Sequence, residues 1–205
     1  RHEDQWKWAE YKRGDEFFYK PIPRDHDQAF SRYDGAAFKI IMNIPAIRHM
    51  KSFDDDIKNI SWMNMEPYPL DLILTKKSTL EEWLKEAKYI QENLTDADIE
   101  KAFTDLPKEV QDETIEDLQQ KLKIRKTKLQ EFATRYYDVL QEKIPLAGTV
   151  KKDRFVIVKN EKSVYVKQFE IEKEGNYKLV FEKTYYDSQT KELWIYGLED
   201  DDVYE

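Results

Sequence analysis

The hydrophobic period of this chain changes part-way along, and that change constrains the fold more than any other feature. Between about Ser78 and Ile144, apolar residues recur at three- and four-residue steps. The first set is Leu80, Trp83, Leu84, Ala87 and Leu94, and the second is Ile99, Ala102, Phe103 and Leu106. The third runs through Ile115, Leu118, Leu122, Leu129, Phe132, Ala133, Tyr136, Leu140 and Ile144. Such spacing holds apolar side chains on one face of a helix and predicts helices packed on a core. Ser78 with Glu81 predicts a capping box for the first helix, and Thr95 a cap for a second that stops at Pro107. The third set predicts one long helix ended by Pro145 and Gly148, its charged face a solvated surface. From about Lys151 the period falls to two. RFVIVK, SVYVKQFEIE, NYKLVFEKTYY and ELWIYGL read as strands, and their short NEK, KEGN and DSQTK connections make neighbours antiparallel. The expected class is α+β, with central helices and a C-terminal four-stranded antiparallel meander.

The opening of the chain keeps neither period for long. It is dense in aromatic residues, aspartate and proline, which predicts an aromatic-rich segment of short strands and ordered loops. YKRGDEFFYK sets Gly-Asp between polar-aromatic flanks, a hairpin signal that leads into Pro21-Ile22-Pro23. FSRYDGAAFKIIMNIP then turns at Asp34-Gly35 and enters an apolar run whose period does not choose between strand and helix. The expected organisation is an aspartate-rich segment 1–75, a helical segment 76–147 and a β segment 148–205, packed together.

Composition removes several function classes. A net charge of −8 with pI near 5.2, and no cluster of basic residues interleaved with aromatics, argue against a nucleic-acid partner. With no cysteine in the sequence, disulfides, thiolate zinc sites and cysteine nucleophiles are excluded, and the redox compartment is not legible. No apolar run approaches the roughly 20 residues of a membrane-spanning helix. The opening RHEDQWKW is a polar and aromatic mixture unlike a signal peptide and reads as the start of a piece of a longer protein.

Chemistry concentrates in carboxylates. In an extended strand, side chains two apart share a face, so Asp25 and Asp27 in YKPIPRDHDQAF would present paired carboxylates. A hairpin would return the chain and bring Asp4 and Gln5 near them. Three carboxylates and an amide oxygen are hard ligands, suited to Mg2+, Mn2+ or Ca2+. The plainer alternative is that Asp25 serves a turn and Asp27 pairs with Arg24 or Arg32. Asp200, Asp201 and Asp202 in GLEDDDVYE form a second calcium candidate, and FDDDIKN, Phe53 to Asn59, a third; acidic runs of this kind also serve simply as solvated surface. His2, His26 and His49 lack the spacing of a zinc site. No Gly-x-Ser-x-Gly, phosphate-binding loop or dinucleotide fingerprint occurs.

DQWKW followed, after a hairpin, by YKPIPRDHDQAF resembles the signature of the spore-coat CotH family of kinase-like proteins. The resemblance covers about the first thirty residues and implies roles within a kinase-like fold. Asp4 would be the catalytic base, Gln5 would take the amide position that helps bind the metal-nucleotide, and Asp25 or Asp27 would hold Mg2+ or Mn2+ on ATP. These parts suit phosphoryl transfer, which needs an oriented nucleophile and a metal across the phosphates. Gln5 replaces the family's usual Asn and Arg24 its Trp. More broadly, EDQWKW, PIPRDHDQAF, Asp34-Gly35, the capped helices and TKELWIYGLEDDD look like a central region of large bacterial envelope proteins. Such proteins carry a calcineurin-like metallophosphoesterase domain before this region and an outer-membrane β-barrel after it. This likeness implies an extracytoplasmic location in the periplasm or cell envelope, and partners among the other domains of the same chain.

Two readings follow. One is a kinase-type Mg-ATP element that transfers phosphate to a protein or a surface glycan in the full-length parent, the isolated fragment being inactive. The other is a non-catalytic scaffold or connector whose aspartates order loops or hold a structural ion. Glycan binding through exposed aromatics such as Trp6 and Trp8 is a third possibility.

Overall fold

The structure is a computed structural model and describes residues 5–14, 16–25, 29–33, 35, 38, 41, 44–47, 49–172 and 175–205. It is mixed α+β, as expected. Two compact units share the chain, Arg1–Leu70 with Leu80–Tyr136 and Asp71–Thr79 with Tyr137–Glu205.

The first unit opens with the expected hairpin. Strands β1 (Trp6–Arg13) and β2 (Glu16–Pro23) pair antiparallel from Arg13↔Glu16 to Trp6↔Pro23. Gly14 takes φ +65°, the left-handed conformation that a two-residue hairpin loop requires and glycine adopts without strain. The register also explains Pro21-Ile22-Pro23. One step beyond the ladder, the Arg24 N–H donates to the Gln5 carbonyl at 2.9 Å, so the alternate pairs Lys7↔Ile22 and Ala9↔Lys20 are hydrogen-bonded. Pro21 and Pro23 therefore face Trp8 and Trp6 at non-hydrogen-bonded positions, where a backbone N–H would point away from β1. The prolines cost the ladder nothing and remove two donors from the open edge of β2.

The α-helices given whole by the described residues are α1 (Ile60–Met63), α2 (Tyr68–Thr75), α3 (Leu80–Asn93), α4 (Asp96–Lys101), α5 (Glu113–Thr127) and α6 (Leu129–Gln141). Ser78 lies two residues ahead of α3, and its hydroxyl donates to the Thr75 carbonyl at 2.7 Å. Thr95 caps α4 as expected. Its hydroxyl accepts from the Asp98 N–H while the Asp98 carboxylate accepts from the Thr95 N–H, a reciprocal box that satisfies two orphan donors.

The single long helix is not formed. It breaks at Lys128 (φ −95°, ψ 3°), and Ile144 and Pro145 belong to a strand. The Thr127 hydroxyl donates to the Ile124 carbonyl, a local bond that competes with the helix ladder. The Lys126 and Thr127 carbonyls freed at the break accept from the Gln91 amide of α3, at 2.8 and 2.9 Å. Gln91 in turn accepts from Gln130 of α6. A tertiary partner thus stabilises a break that apolar periodicity alone does not reveal.

Among the described residues the second unit holds six strands: β3 (Lys143–Ala147), β4 (Asp153–Lys159), β5 (Ser163–Ile171), β6 (Tyr177–Tyr186), β7 (Glu192–Tyr196) and β8 (Val203–Tyr204). The four expected strands exist, but their topology differs from a four-stranded meander. β4, β5 and β6 form the antiparallel meander, with a bulge at Gln168/Phe169, and its other edge is completed by β8, parallel to β4. β7 instead pairs parallel with β3. The Lys191 and Glu192 N–H groups donate to the Glu142 carbonyl and start β7 beside β3. Leu193 and Ile195 then join Ile144, Leu146, Phe155, Val166, Phe181 and Tyr185 in one core. As the fourth strand of a meander, β7 would have lengthened one sheet; paired with β3 it supplies a second layer over that core.

Candidate functional site

The hairpin brings the two sequence elements of the proposed metal site to one end of a ribbon. The Arg24 N–H donates to the Gln5 carbonyl, so Gln5, just ahead of β1, and exposed Asp25, two residues past β2, lie on adjacent chain segments at the open end of the ribbon. Asp4 and Asp27, like His2 and His26, lie outside the described residues. No group of three or more His, Cys, Asp or Glu among the described residues is arranged to hold a metal ion.

Beside Gln5 lies a cavity of about 340 Å3. Trp6 of β1, Tyr33, Phe53 and Met63 of α1 supply flat or apolar wall, and His49, Lys51 and Arg125 of α5 supply positive or donor groups. No carboxylate lines it among the described residues. Residues 31–33 and 52–53 are zipped together to form part of this wall. Tyr33 N–H donates to the Ser52 hydroxyl at 2.8 Å, Ser52 donates back to the Tyr33 carbonyl, and Phe53 N–H donates to the Ser31 carbonyl. Phe53 is further fixed edge-on against Phe30, with ring centroids 5.0 Å apart.

Arg125 ties α5 to this loop. Its guanidinium lies 4.0 Å from the Phe53 ring centroid, and its Nε donates to the Asp54 carbonyl. Burial lowers its pKa, opposed by the nearby charges of Asp54, Asp55 and Asp56; an arginine so placed stays protonated. Neither Nη atom has a hydrogen-bond partner among the described residues. Among the described residues Lys51 likewise has no hydrogen-bond partner, its ammonium 5.6 Å from the Trp62 ring. His49 Nδ1 is buried without a hydrogen bond among the described residues, 3.6 Å from a Glu66 carboxylate oxygen.

The acidic loop Phe53–Asn59 is held by cations of the chain itself. Besides Arg125, Lys128 donates to the Asp55 carbonyl at 3.4 Å, and Arg135 of α6 donates to the Ile57 and Lys58 carbonyls. Arg135 also stands 3.6 Å from the Asp56 carboxylate. Asp54 and Asp56 accept from the N–H of the next residue in each case. A second cavity of about 340 Å3, with Asp54, Asp56 and Trp62 on its wall, shares Lys51, Ile57, Met63 and Arg125 with the first.

Comparison with protein-family models, with curated proteins and with solved structures returned no match. The site therefore rests on its own geometry.

At the other acidic run, Asp200 and Asp201 are exposed, whereas half-buried Asp202 turns inward. Its Oδ1 accepts from the N–H of Asp153, a fully buried residue, at 2.8 Å. Asp153 accepts through one oxygen from the Thr149 N–H and hydroxyl, and through the other from Gln168. Leu198 and Asp200 both have positive φ, 89° and 61°, so the turn is held in a conformation uncommon for side-chain-bearing residues.

Sequence reasoning did not single out Lys51 or Arg125 and met Phe53 only as the start of an acidic loop, and the charges of α5 read as a solvated face. The signal that was available is position and complementarity: Arg125 stands three residues after Leu122 and four before Leu129, on the apolar stripe itself, where a charge needs a partner, Lys128 and Arg135 flank the stripe, and Asp54 to Asp56 are the acidic run they meet.

Proposed function

We propose that this chain is an extracytoplasmic segment of a larger envelope protein and carries a kinase-type, divalent-metal nucleotide element. Asp4 would act as base, Gln5 would contact the metal-nucleotide, and Asp25 or Asp27 would hold Mg2+ or Mn2+. The observation that supports the reading is the hairpin register, in which the Arg24 N–H donates to the Gln5 carbonyl, so the chain segments that carry Gln5 and Asp25 run side by side, with Gln5 on the wall of a cavity lined with donors. The likeness of DQWKW and PIPRDHDQAF to the CotH signature supports the same roles, with a protein or glycan as phosphate acceptor. In the full-length parent, Asp27→Asn is expected to abolish metal-dependent phosphotransfer while leaving the melting temperature unchanged.

A second reading, a non-catalytic connector between a phosphoesterase domain and a β-barrel, draws support from how the described carboxylates are used. Asp54, Asp56, Asp153 and Asp202 all order backbone or meet basic side chains. An anomalous-difference map from crystals soaked in Mn2+ with a non-hydrolysable ATP analogue separates the two. A peak among Asp4, Gln5, Asp25 and Asp27 is expected for the kinase-type element. No peak there, or one at Asp200 to Asp202 alone, refutes it in favour of the connector.

A further inference from the structure

We infer that the cavity beside Gln5 binds the phosphate of a phosphate monoester that also carries an aromatic ring, such as a nucleoside monophosphate, through Arg125 and Lys51 without a metal. The inference rests on the proposed function only for the choice of a phosphate ester over other oxyanions; its contacts involve none of Asp4, Asp25 and Asp27.

Three observations carry it. Arg125 is half-buried, stacked on Phe53 and fixed through Nε, yet both Nη atoms remain without partners among the described residues at the cavity wall. A guanidinium removed from water with donors unspent is matched by an oxyanion, which accepts from both ends of the fork. Lys51 lines the same cavity, and its ammonium, 5.6 Å from the Trp62 ring, makes no hydrogen bond among the described residues, so two cationic side chains border a space with no described carboxylate on its wall. Two positive groups suit a doubly charged phosphate monoester better than a single carboxylate. The remaining wall is aromatic and apolar, with Trp6, Tyr33 and Phe53 able to cover a flat ring, and about 340 Å3 falls at the small end of ligand pockets. The Asp54 to Asp56 run lies close enough to act on Arg125, but its carboxylates line only the adjoining cavity, and those of Asp54 and Asp56 accept from their own backbone, with Arg135 beside Asp56, so they leave the Arg125 Nη donors without a hydrogen-bond partner among the described residues.

The test is isothermal titration calorimetry of the chain with AMP, adenosine, benzoate and inorganic phosphate in EDTA. AMP is expected to bind at least about tenfold more tightly than any of the other three, and Arg125→Gln and Lys51→Gln each to weaken it by about tenfold or more, the loss typical of a charge-assisted contact. Arg125 also supports the loop, so Lys51→Gln, which removes only an ammonium poised over Trp62, decides the matter if Arg125→Gln melts early. No AMP binding at millimolar concentration, equal binding of adenosine or benzoate, or native affinity in Lys51→Gln overturns the inference. If Mg-ATP then binds in a manner lost in Asp25→Asn, the inference alone has failed. If AMP binds in EDTA and Asp25→Asn leaves Mg-ATP binding intact, the inference stands and a metal role for Asp25 falls.

Discussion

Asp202→Ala is expected to destabilise the C-terminal unit, and the structure supplies a magnitude. The Asp202 carboxylate accepts from the Asp153 N–H at 2.8 Å, and Asp153 is completely buried. Removing the acceptor leaves a buried donor unsatisfied and takes away a hydrogen bond to a charged group, together costing about 1.5–3 kcal/mol. For a chain of this size that is roughly 3–12 °C in melting temperature. Gly197 provides an independent handle on the same interaction. A Cβ added there would lie 1.8 Å from Asp202 Oδ2 and 2.9 Å from the Tyr204 hydroxyl, so Gly197→Ala must push the carboxylate off its partner. The two substitutions remove one interaction by different routes. Urea denaturation followed by circular dichroism should therefore give a double variant less destabilised than the sum of the singles by about 1–2 kcal/mol. Additivity within about 0.5 kcal/mol would refute the reasoning. The Asp202→Ala effect should also be the same in EDTA and in calcium; a loss seen only with calcium would mean that the carboxylate serves an ion rather than the Asp153 backbone.

Acid should unwind the capped end of α4 early. The Thr95 hydroxyl and N–H hold the Asp98 carboxyl below its ordinary pKa, and the Lys126 hydrogen bond does the same for Asp96. A depressed folded pKa contributes stability that is present above the unfolded value near 3.8 and is lost as pH falls through the folded value. Helical ellipticity should therefore drop below about pH 4, and Asp98→Asn should flatten that part of the curve; an unchanged profile would argue against the box. Tyr185 is a different case. Its hydroxyl is buried without a hydrogen bond among the described residues, and burial pushes the phenol well above its ordinary pKa. Tyr185→Phe should be neutral or stabilising by up to about 1 kcal/mol, and a loss of more than that would reveal a partner for the hydroxyl.

Much of the local structure was legible because it depends on neighbours in sequence. Gly14 sets the hairpin, Thr95 and Asp98 cap α4, and the alternating runs after Lys151 form strands, each through forces acting over a few residues. The hairpin register, which brings Gln5 beside Asp25, also follows from a two-residue turn. Long-range partners decided the rest. Lys128 interrupts a periodic apolar stripe because Gln91, far away in sequence, satisfies the carbonyls released there. ELWIYGL carries the alternation of a strand, but alternation does not name a partner; it pairs with β3 because Leu193 and Ile195 complete the core around Phe155 and Ile144. The acidic loop and α5 read separately as solvated charge, and only the fold turns Arg125 onto Phe53 and leaves its remaining donors facing a cavity. Sequence determined the elements, because hydrogen bonds within a turn and side-chain periodicity are local. Tertiary structure decided topology and the candidate anion site, because burial and charge pairing depend on which distant segments meet.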